Sequence, residues 1–364
     1  MPQILKAEDH FLRMETSTAL DILKPMEKTD LESLPDKYFD LRVKTHLRAL
    51  QFKDALDIVI TWEKQRKTKL IDKRRHVLLS FLRNRATRPN HQIQFEAVTA
   101  LGDLGDKKMM GALQDIFPKS SNVVKLAIAF TMAKFGDWDR AVSYLIQRSK
   151  FATSRERFLA SLKLIELDDL RLKDQYLKLL NDSEDGIRVL GMNIIAKNKI
   201  FEGVDRIKYL NNNSANLSMR LLTAQALMRL GVRDAEGELE KALNNPALKD
   251  SVELLLAQAG RVDMIEKLKS KISTLSDESK SAFYQVLVES GQENFVIEQS
   301  RNSLKSFMGE VFDQKISLES LGDFGTVDDF KVLRPFLGSP FEQVQISAVR
   351  SMIKLLDRHR SEFI

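Results

Sequence analysis

The chain has 364 residues and a formal net charge of +6, with 43% hydrophobic and 30% charged residues. This length exceeds the size at which a single hydrophobic core usually stops growing, so we expect several domains or an elongated repeat architecture. The 15 glycines and 8 prolines are too few for a collagen-like or wholly disordered chain.

The chain contains no cysteine, which excludes disulfides, zinc-thiolate sites, iron-sulfur clusters and cysteine nucleophiles. No apolar run approaches the roughly 18 residues needed to cross a bilayer. At the N-terminus Lys6, Glu8 and Asp9 interrupt the chain before a hydrophobic region of about seven residues forms. We therefore expect no membrane span, no secretory signal and a cytoplasmic location.

Residues 1–35 predict two short amphipathic helices, broken by Pro25 and Pro35. Two further segments carry apolar residues at helical spacing, YFDLRVKTHLRALQ and KDALDIVITWEKQR, and predict an antiparallel pair. This pair begins a divergent helical N-terminal cap over residues 36–90.

The basic excess of the protein lies in residues 64–88, which hold 10 Lys/Arg against 1 Asp/Glu, while residues 89–364 hold 38 against 38. The segment predicts a basic amphipathic helix that ends before Pro89. Its cations favour binding to an acidic protein segment first and to nucleic acid second; anionic lipid and a solvated outer face are the other interpretations. The candidate binding residues are Lys64, Arg66, Lys67, Lys69, Lys73, Arg74, Arg75, Arg83, Arg85 and Arg88.

From residue 91 to residue 364 similar units recur about every 31 residues. Each unit has an apolar helix, a residue suited to a left-handed C-cap, a second amphipathic helix and a polar loop. The cap positions are Gly105, Gly136, Asp168, Asn198, Gly231, Gly260, Gly291 and Gly325. One helical hairpin cannot bury both of its faces, so neighbouring hairpins are expected to stack.

The spacing, the LGDLGD turn at 101–106, the FGDWDRA turn at 135–141 and the pair Asp182 and Arg188 resemble HEAT and HEAT-like repeats, including the short form named after phycobilisome lyases. The resemblance covers roughly residues 90–360. It implies an all-α, right-handed solenoid of about eight to nine hairpins whose second helices line a concave face. HEAT arrays serve as scaffolds, transport adaptors, regulators and a few enzymes, so the resemblance indicates the fold more than the function.

Six consecutive units carry a cation at an equivalent position near the start of the first helix, where the macrodipole disfavours positive charge. We call this set the ladder: Lys125, Arg157, Arg188, Arg220, Lys249 and Lys280. In one interpretation each cation pairs with an aspartate from a neighbouring turn and locks the stack, although only Arg188 has that aspartate, Asp182, at the family spacing. In the other interpretation the ladder is a stripe that binds anions or an acidic peptide.

Motifs for catalysis are absent from the sequence. Five scattered histidines form no HExxH pattern, and no phosphate-binding glycine motif is present, so we expect no metal, no cofactor and no catalytic residues. The sequence therefore predicts a non-catalytic cytoplasmic adaptor or scaffold that binds an acidic or extended protein segment on the concave face. The alternatives are a nucleic-acid-binding protein that uses the basic helix and the ladder, and a lyase-like enzyme of the HEAT-repeat type.

Overall fold

The computed structural model describes residues 2–28, 33–305 and 310–362. Their regular secondary structure consists of 22 α-helices with short 3-10 turns and no strand, so the predicted all-α class is confirmed. No helix in these ranges is both long and apolar enough to span a membrane. The chain divides into two compact units, unit 1 (Met1–Met109 and Gln299–Ile364) and unit 2 (Met110–Glu298).

Unit 1 contains helices from both ends of the chain. Its N-terminal helices are α1 (Pro2–Leu12), α2 (Thr16–Leu23), α3 (Asp36–Arg48), α4 (Phe52–Arg66), α5 (Ile71–Ala86) and α6 (His91–Asp103). Its C-terminal helices are α20 (Val311–Phe324), α21 (Asp329–Leu333) and α22 (Glu342–Arg358). The two short helices predicted in residues 1–35 correspond to α1 and α2, and the predicted helical pair corresponds to α3 and α4, which pack together.

The C-terminal helix α22 packs against α5 and α6 as well as against α20. Its buried face includes Val344, Val349, Met352 and Ile353. Burying one such side chain contributes about 1.5–3 kcal/mol. In a linear array each hairpin contacts only its neighbours, so this pairing of the two chain ends departs from a simple stack.

The sequence pattern predicts a single helix over the basic segment 64–88, and this prediction is wrong. Helix α4 ends at Arg66, and the next residue, Lys67, takes a left-handed backbone conformation with a φ of 48°. A left-handed residue terminates a helix because the chain can no longer continue the i to i−4 hydrogen-bond pattern. Helix α5 then begins at Ile71, and its predicted apolar face is buried at Ile71, Val77, Leu78, Phe81 and Leu82.

Unit 2 consists of helices in chain order. They are α7 (Met110–Ile116), α8 (Asn122–Phe135), α9 (Trp138–Phe151), α10 (Ser154–Glu166), α11 (Lys173–Leu179), α12 (Asp185–Lys197), α13 (Val204–Asn213), α14 (Leu217–Arg229), α15 (Glu236–Ala242), α16 (Lys249–Gln258), α17 (Val262–Ser270) and α18 (Asp277–Glu289). Helix α19 (Glu293–Leu304) contains the unit boundary. The even-numbered helices pack in a row, α8 on α10, α10 on α12, α12 on α14, α14 on α16 and α16 on α18. The division into segments 1–35, 36–90 and 91–364 stays a prediction.

The turns after these helices are regular. A positive φ occurs at Gly136, Asp168, Lys199, Gly231, Gly260 and Gly291, which lie 29 to 32 residues apart. The predicted cap at Asn198 is wrong by one residue, since Asn198 has a φ of −89° and Lys199 one of 53°.

In unit 1 the predicted cap at Gly105 has a φ of 66°, whereas the one predicted at Gly325 is wrong, because its φ is −66°. Glycine is needed at residue 325 for a different reason. An added Cβ would lie 2.4 Å from the backbone oxygen of Leu321.

Candidate functional site

Most cations of segment 64–88 are neutralised within unit 1. Among the residues that the structure describes, seven of the ten form ion pairs. Four use carboxylates of the N-terminal helices and turns: Arg66 with Asp36 (2.8 Å), Lys73 with Asp40 (2.7 Å), Arg74 with Glu63 (2.8 and 2.9 Å) and Arg83 with Asp106 (2.9 Å). Hydrogen bonds from Arg66 and Trp62 lower the pKa of Asp36.

The other three paired cations join α5 and the residues just after it to α22. Arg75 Nε lies 2.7 Å from Asp357, and this hydrogen bond raises the pKa of Arg75. Arg85 and Arg88 share Glu342, at 2.8 and 3.0 Å. These contacts join residues more than 250 positions apart in the sequence. They explain why a segment with so many cations packs closely against α22.

The three remaining cations of the segment, Lys64, Lys67 and Lys69, are exposed and line one cleft of unit 1, with a volume of about 1010 Å³. We call it the lysine cleft. Its other basic lining residues are Lys53, Arg74, Lys331 and Arg334, and its carboxylates are Asp57, Glu63 and Asp328. Apolar atoms of Ile60, Val327, Phe330 and Pro335 also line the cleft.

Two contacts hold α4 and α5 against the C-terminal wall of the lysine cleft. Arg334 donates to Asp57 at 2.6 and 3.0 Å, and the guanidinium of Arg74 lies 5.0 Å from the centre of the Phe330 ring. Arg74 also binds the buried carboxylate of Glu63, which accepts a hydrogen bond from the backbone N–H of Leu70 at 2.6 Å. Glu63 therefore fixes both the connection that carries Lys67 and Lys69 and the start of α5.

A second buried carboxylate positions α21, which carries Phe330 and Lys331 into the lysine cleft. Asp329 is 1% exposed and accepts two hydrogen bonds from Arg301, at 2.7 and 2.8 Å. It also accepts a hydrogen bond from the backbone N–H of Thr326 at 2.7 Å. Burial would raise the pKa of Asp329, but the bonds from Arg301 and Thr326 outweigh it, and the pKa is lowered.

The charge of the lysine cleft is strongly positive, with seven cations against three carboxylates. Each carboxylate has a partner: Asp57 pairs with Arg334, Glu63 with Arg74, and Asp328 with Lys331. The pair of Asp328 and Lys331 is 85% exposed and therefore weak. Within the described part of the chain, Lys53, Lys64, Lys67 and Lys69 have no carboxylate partner. Four ammonium groups beside apolar surface can attract an anionic partner that also carries apolar side chains.

The ladder cations of unit 2 lie where the sequence predicts, and five of the six occupy the fourth residue of their helix. Four of them pair with carboxylates: Arg157 with Asp182 (3.1 Å), Arg188 with Asp185, Arg220 with Glu238 (2.8 Å) and Lys280 with Asp277 (3.5 Å). Lys125 Nζ lies 5.9 Å from the centre of the Phe117 ring. Lys249 is exposed and forms no ion pair with the described residues. Of these ion pairs, Arg157 with Asp182 joins neighbouring hairpins, whereas Arg188 and Lys280 pair within their own helices.

The prediction that the carboxylate of Asp182 contacts Arg188 is wrong. Arg188 donates to the backbone oxygen of Asp182 at 2.6 Å, while the Asp182 carboxylate accepts from Arg157 in the preceding hairpin. Arg220 repeats the backbone contact with the residue six positions earlier, Ser214, at 3.1 Å. Asp182 therefore joins neighbouring hairpins, because the loop before α12 lies beside the start of α10.

The aromatic residues Trp62 and Phe39, which lie near the basic segment, pack against each other. Trp62 stacks on Phe39 with ring centres 5.6 Å apart, and its indole N–H donates to Asp36. Among residues 2–28, 33–305 and 310–362 no group of three His, Asp or Glu side chains is arranged to hold a metal ion.

No family model matches this chain, and no curated protein matches it. The resemblance to HEAT repeats therefore rests on the repeat spacing and the turn residues alone.

Sequence reasoning missed Lys53, Lys331 and Arg334 as members of the lysine cleft. Lys53 lies in a segment with more carboxylates than cations, residues 1–63, which hold 9 Lys/Arg against 12 Asp/Glu. Lys331 and Arg334 lie more than 250 residues further along the chain. Charge counting along the sequence has no signal for either feature, because the cleft forms only when the two ends of the chain pack together.

Proposed function

We propose that this chain is a non-catalytic helical scaffold that binds an acidic segment of a partner protein in the lysine cleft. The observation that carries the proposal is the set of four lysines without a carboxylate partner among the described residues, Lys53, Lys64, Lys67 and Lys69, beside the apolar atoms of Ile60 and Pro335. Carboxylates of the partner would meet the ammonium groups, and its apolar side chains would cover the floor.

An acidic protein fits this cleft better than nucleic acid does. Single-stranded nucleic acid gains much of its affinity by stacking bases on aromatic rings. Phe330 is buried beneath the Arg74 guanidinium, and Trp62 is buried and stacked on Phe39, so neither ring offers a free face. The ladder adds few free charges to a phosphate-binding surface, because four of its six cations pair with carboxylates.

The scaffold part of the proposal is a HEAT-like, right-handed solenoid of about eight to nine hairpins in a cytoplasmic protein. Support comes from the left-handed turns 29 to 32 residues apart and from the packing of α8, α10, α12, α14, α16 and α18 in chain order. The contact of Arg157 with Asp182 between neighbouring hairpins also supports it. Such arrays present extended surfaces to partner proteins.

The test is fluorescence anisotropy with the full chain and a fluorescein-labelled peptide of alternating glutamate and leucine. The test variant changes Lys53, Lys64, Lys67 and Lys69 to glutamine. The control variant changes four exposed lysines of unit 2 that form no ion pair with described residues, Lys119, Lys150, Lys208 and Lys241, to glutamine. Both variants lose the same charge, so a difference between them reports the lysine cleft.

We expect the Kd of the cleft variant to rise about tenfold or more, since four charge contacts of about 0.2–1 kcal/mol each are removed. The control variant should bind almost as the wild type does, and added salt should weaken the wild type most. Equal loss in both variants, or no binding by the wild type, rejects the proposal. Tighter binding of an oligothymidylate than of the peptide at the same salt concentration would favour the nucleic-acid alternative.

A further inference from the structure

Unit 2 contains a groove that is separate from the ladder, because none of the ladder cations lines it. Helices α10, α12, α14, α16 and α18 each contribute side chains to a groove of about 490 Å³. Its apolar lining residues include Ile165, Ile194, Leu222 and Val286, and its carboxamides are Asn193, Gln225, Gln258 and Gln285. We call it the amide groove. Arg229 of α14 reaches Glu289 of α18 at 3.3 Å, past the intervening α16, so this face curves inward.

Gln225 is the unusual residue of the amide groove. It is 2% exposed, lines the groove, and neither donates a hydrogen bond to the described residues nor accepts one from them. By contrast, the buried Gln94 of unit 1 donates to the backbone oxygen of Ala86 at 3.0 Å. The amide atoms of Gln225 are not closed off from solvent, so the donor and the acceptor that they offer face the groove. A ligand in the groove would supply the missing donor and acceptor.

The charged residues of the amide groove are paired inside unit 2. Lys197 contacts Asp168 at 2.9 Å, Arg229 contacts Glu289, and Glu166 contacts Lys163 at 2.6 Å. Among the carboxamides, Gln285 donates to Glu289 at 3.5 Å. The free polar groups are therefore the amides of Asn193, Gln225 and Gln258 rather than ions, and the ligand that complements them is uncharged. This chemistry distinguishes the groove from the lysine cleft.

We propose that the amide groove binds an extended, uncharged polypeptide segment through its main chain. A carboxamide offers one acceptor and two donor hydrogens, which complement the N–H and C=O groups of a peptide bond. Packed helices lie about 8–10 Å apart, and an extended chain rises about 3.3 Å per residue. Asn193, Gln225 and Gln258 lie on α12, α14 and α16, which pack side by side, and would therefore meet peptide groups about three residues apart. The apolar lining takes alternate side chains of the segment. This proposal concerns a second site and goes beyond the proposed function of the lysine cleft.

The test uses the full chain and a neutral, fluorescein-labelled peptide of alternating serine and valine. A second copy of the peptide carries N-methyl groups on alternate backbone amides, which removes N–H donors but keeps every side chain. The protein variants are Gln225→Leu and a matched control, Gln147→Leu, which changes an exposed glutamine of α9 outside the groove. The glutamine variant of the lysine cleft is measured beside them.

We expect the peptide to bind the wild type, the Gln147→Leu protein and the cleft variant equally. Affinity should fall about tenfold for Gln225→Leu and for the N-methylated peptide, which corresponds to the loss of about one well-placed hydrogen bond. The melting temperature of Gln225→Leu should be no lower than that of the wild type, because a buried amide without a protein partner is replaced by an apolar side chain of similar size.

Other outcomes overturn the proposal. Absence of peptide binding, or equal binding by Gln225→Leu, means that the amide groove is not a polypeptide site. A lower melting temperature for Gln225→Leu means that the amide serves the fold. Loss of binding only in the cleft variant would place the neutral peptide in the lysine cleft, while the acidic-peptide experiment would still decide the proposed function separately.

Discussion

Unit 1 and unit 2 neutralise their cations in different ways. In unit 2 the ladder cations contact carboxylates that are close in sequence, as Arg188 does with Asp185 and Lys280 with Asp277. In unit 1 two of the five cations of α5, Arg75 and Arg85, reach carboxylates at the far end of the chain, Asp357 and Glu342. Local pairs stabilise one hairpin or two neighbours, whereas the long-range pairs hold the two chain ends together.

The difference predicts where charge matters most for stability. Exposed, local ion pairs typically contribute about 0–1 kcal/mol, because both ions remain hydrated and salt screens them. A buried carboxylate depends much more on its partner, since removal of the partner leaves an uncompensated charge. The carboxylates next to the lysine cleft, Glu63 and Asp329, are 5% and 1% exposed. Unit 2 also has a buried carboxylate, Glu253, which is 0% exposed and pairs with both Lys267 and Lys271. Because removal of either lysine leaves the other one in place, we expect the largest effects of a single substitution in unit 1.

Among the substitutions considered, Arg74→Ala is expected to cause the largest loss of stability. The change removes the guanidinium that binds both oxygens of Glu63 and also covers Phe330. We expect the free energy of unfolding to fall by about 3–5 kcal/mol, because Glu63 stays buried and, among the described residues, keeps the Leu70 N–H as its one hydrogen-bond donor. Urea unfolding followed by circular dichroism measures the change.

The matched control for this prediction is Arg13→Ala, which removes an exposed ion pair of the same unit, to Asp9 at 3.0 Å. Its cost should stay below about 0.5 kcal/mol. Similar costs for the two variants would mean that Glu63 does not depend on Arg74.

The second-largest effect is expected for Asp329, whose contribution to stability depends on pH. Its pKa is lowered in the folded protein, so its contribution to stability is present above its unfolded pKa of about 4 and is lost as the pH falls through the folded value. Asp329→Asn should cost about 1.5–3 kcal/mol at pH 7, because the charge-assisted bonds from Arg301 are weakened.

The measurement compares the urea unfolding of Asp329→Asn and the wild type from pH 7 to pH 3. The difference between the two proteins should begin to shrink near pH 4, where Asp329 of the unfolded chain binds a proton, and should vanish only as the pH falls through the lower folded pKa. Asp36 also has a lowered pKa, so both proteins should still lose stability in acid. A constant difference between the two proteins at every pH would contradict the role of the Asp329 charge.

Much of the helical content follows from local pattern. Apolar residues at helical spacing identify α3, α4 and α5, and residues suited to the left-handed conformation mark the turns at Gly136, Gly231, Gly260 and Gly291. Lys199 shows the limit of this approach. Nothing in its side chain favours a positive φ, so the turn chemistry of its neighbour Asn198 is misleading.

The candidate site is harder to predict, because it depends on contacts between distant segments. Counting charges identifies Lys64, Lys67 and Lys69, but seven other cations of the same segment are neutralised by carboxylates elsewhere in unit 1. Gln225 has no sequence signal at all. Its importance comes from burial without a hydrogen-bond partner, which only three-dimensional packing reveals.

The smallest effect separates the two interpretations of the ladder. Arg220 contacts Glu238 and the backbone oxygen of Ser214, so Arg220→Met should cost about 0.5–1 kcal/mol of unfolding free energy. Lys249 is exposed without an ion pair to described residues, so Lys249→Met should change stability by less than about 0.5 kcal/mol. If Arg220→Met leaves stability unchanged but weakens binding of the acidic peptide, the ladder binds a partner. If it lowers stability and leaves binding unchanged, the arginine stabilises the helices of unit 2, and the free lysines of unit 1 remain the stronger candidates for recognition.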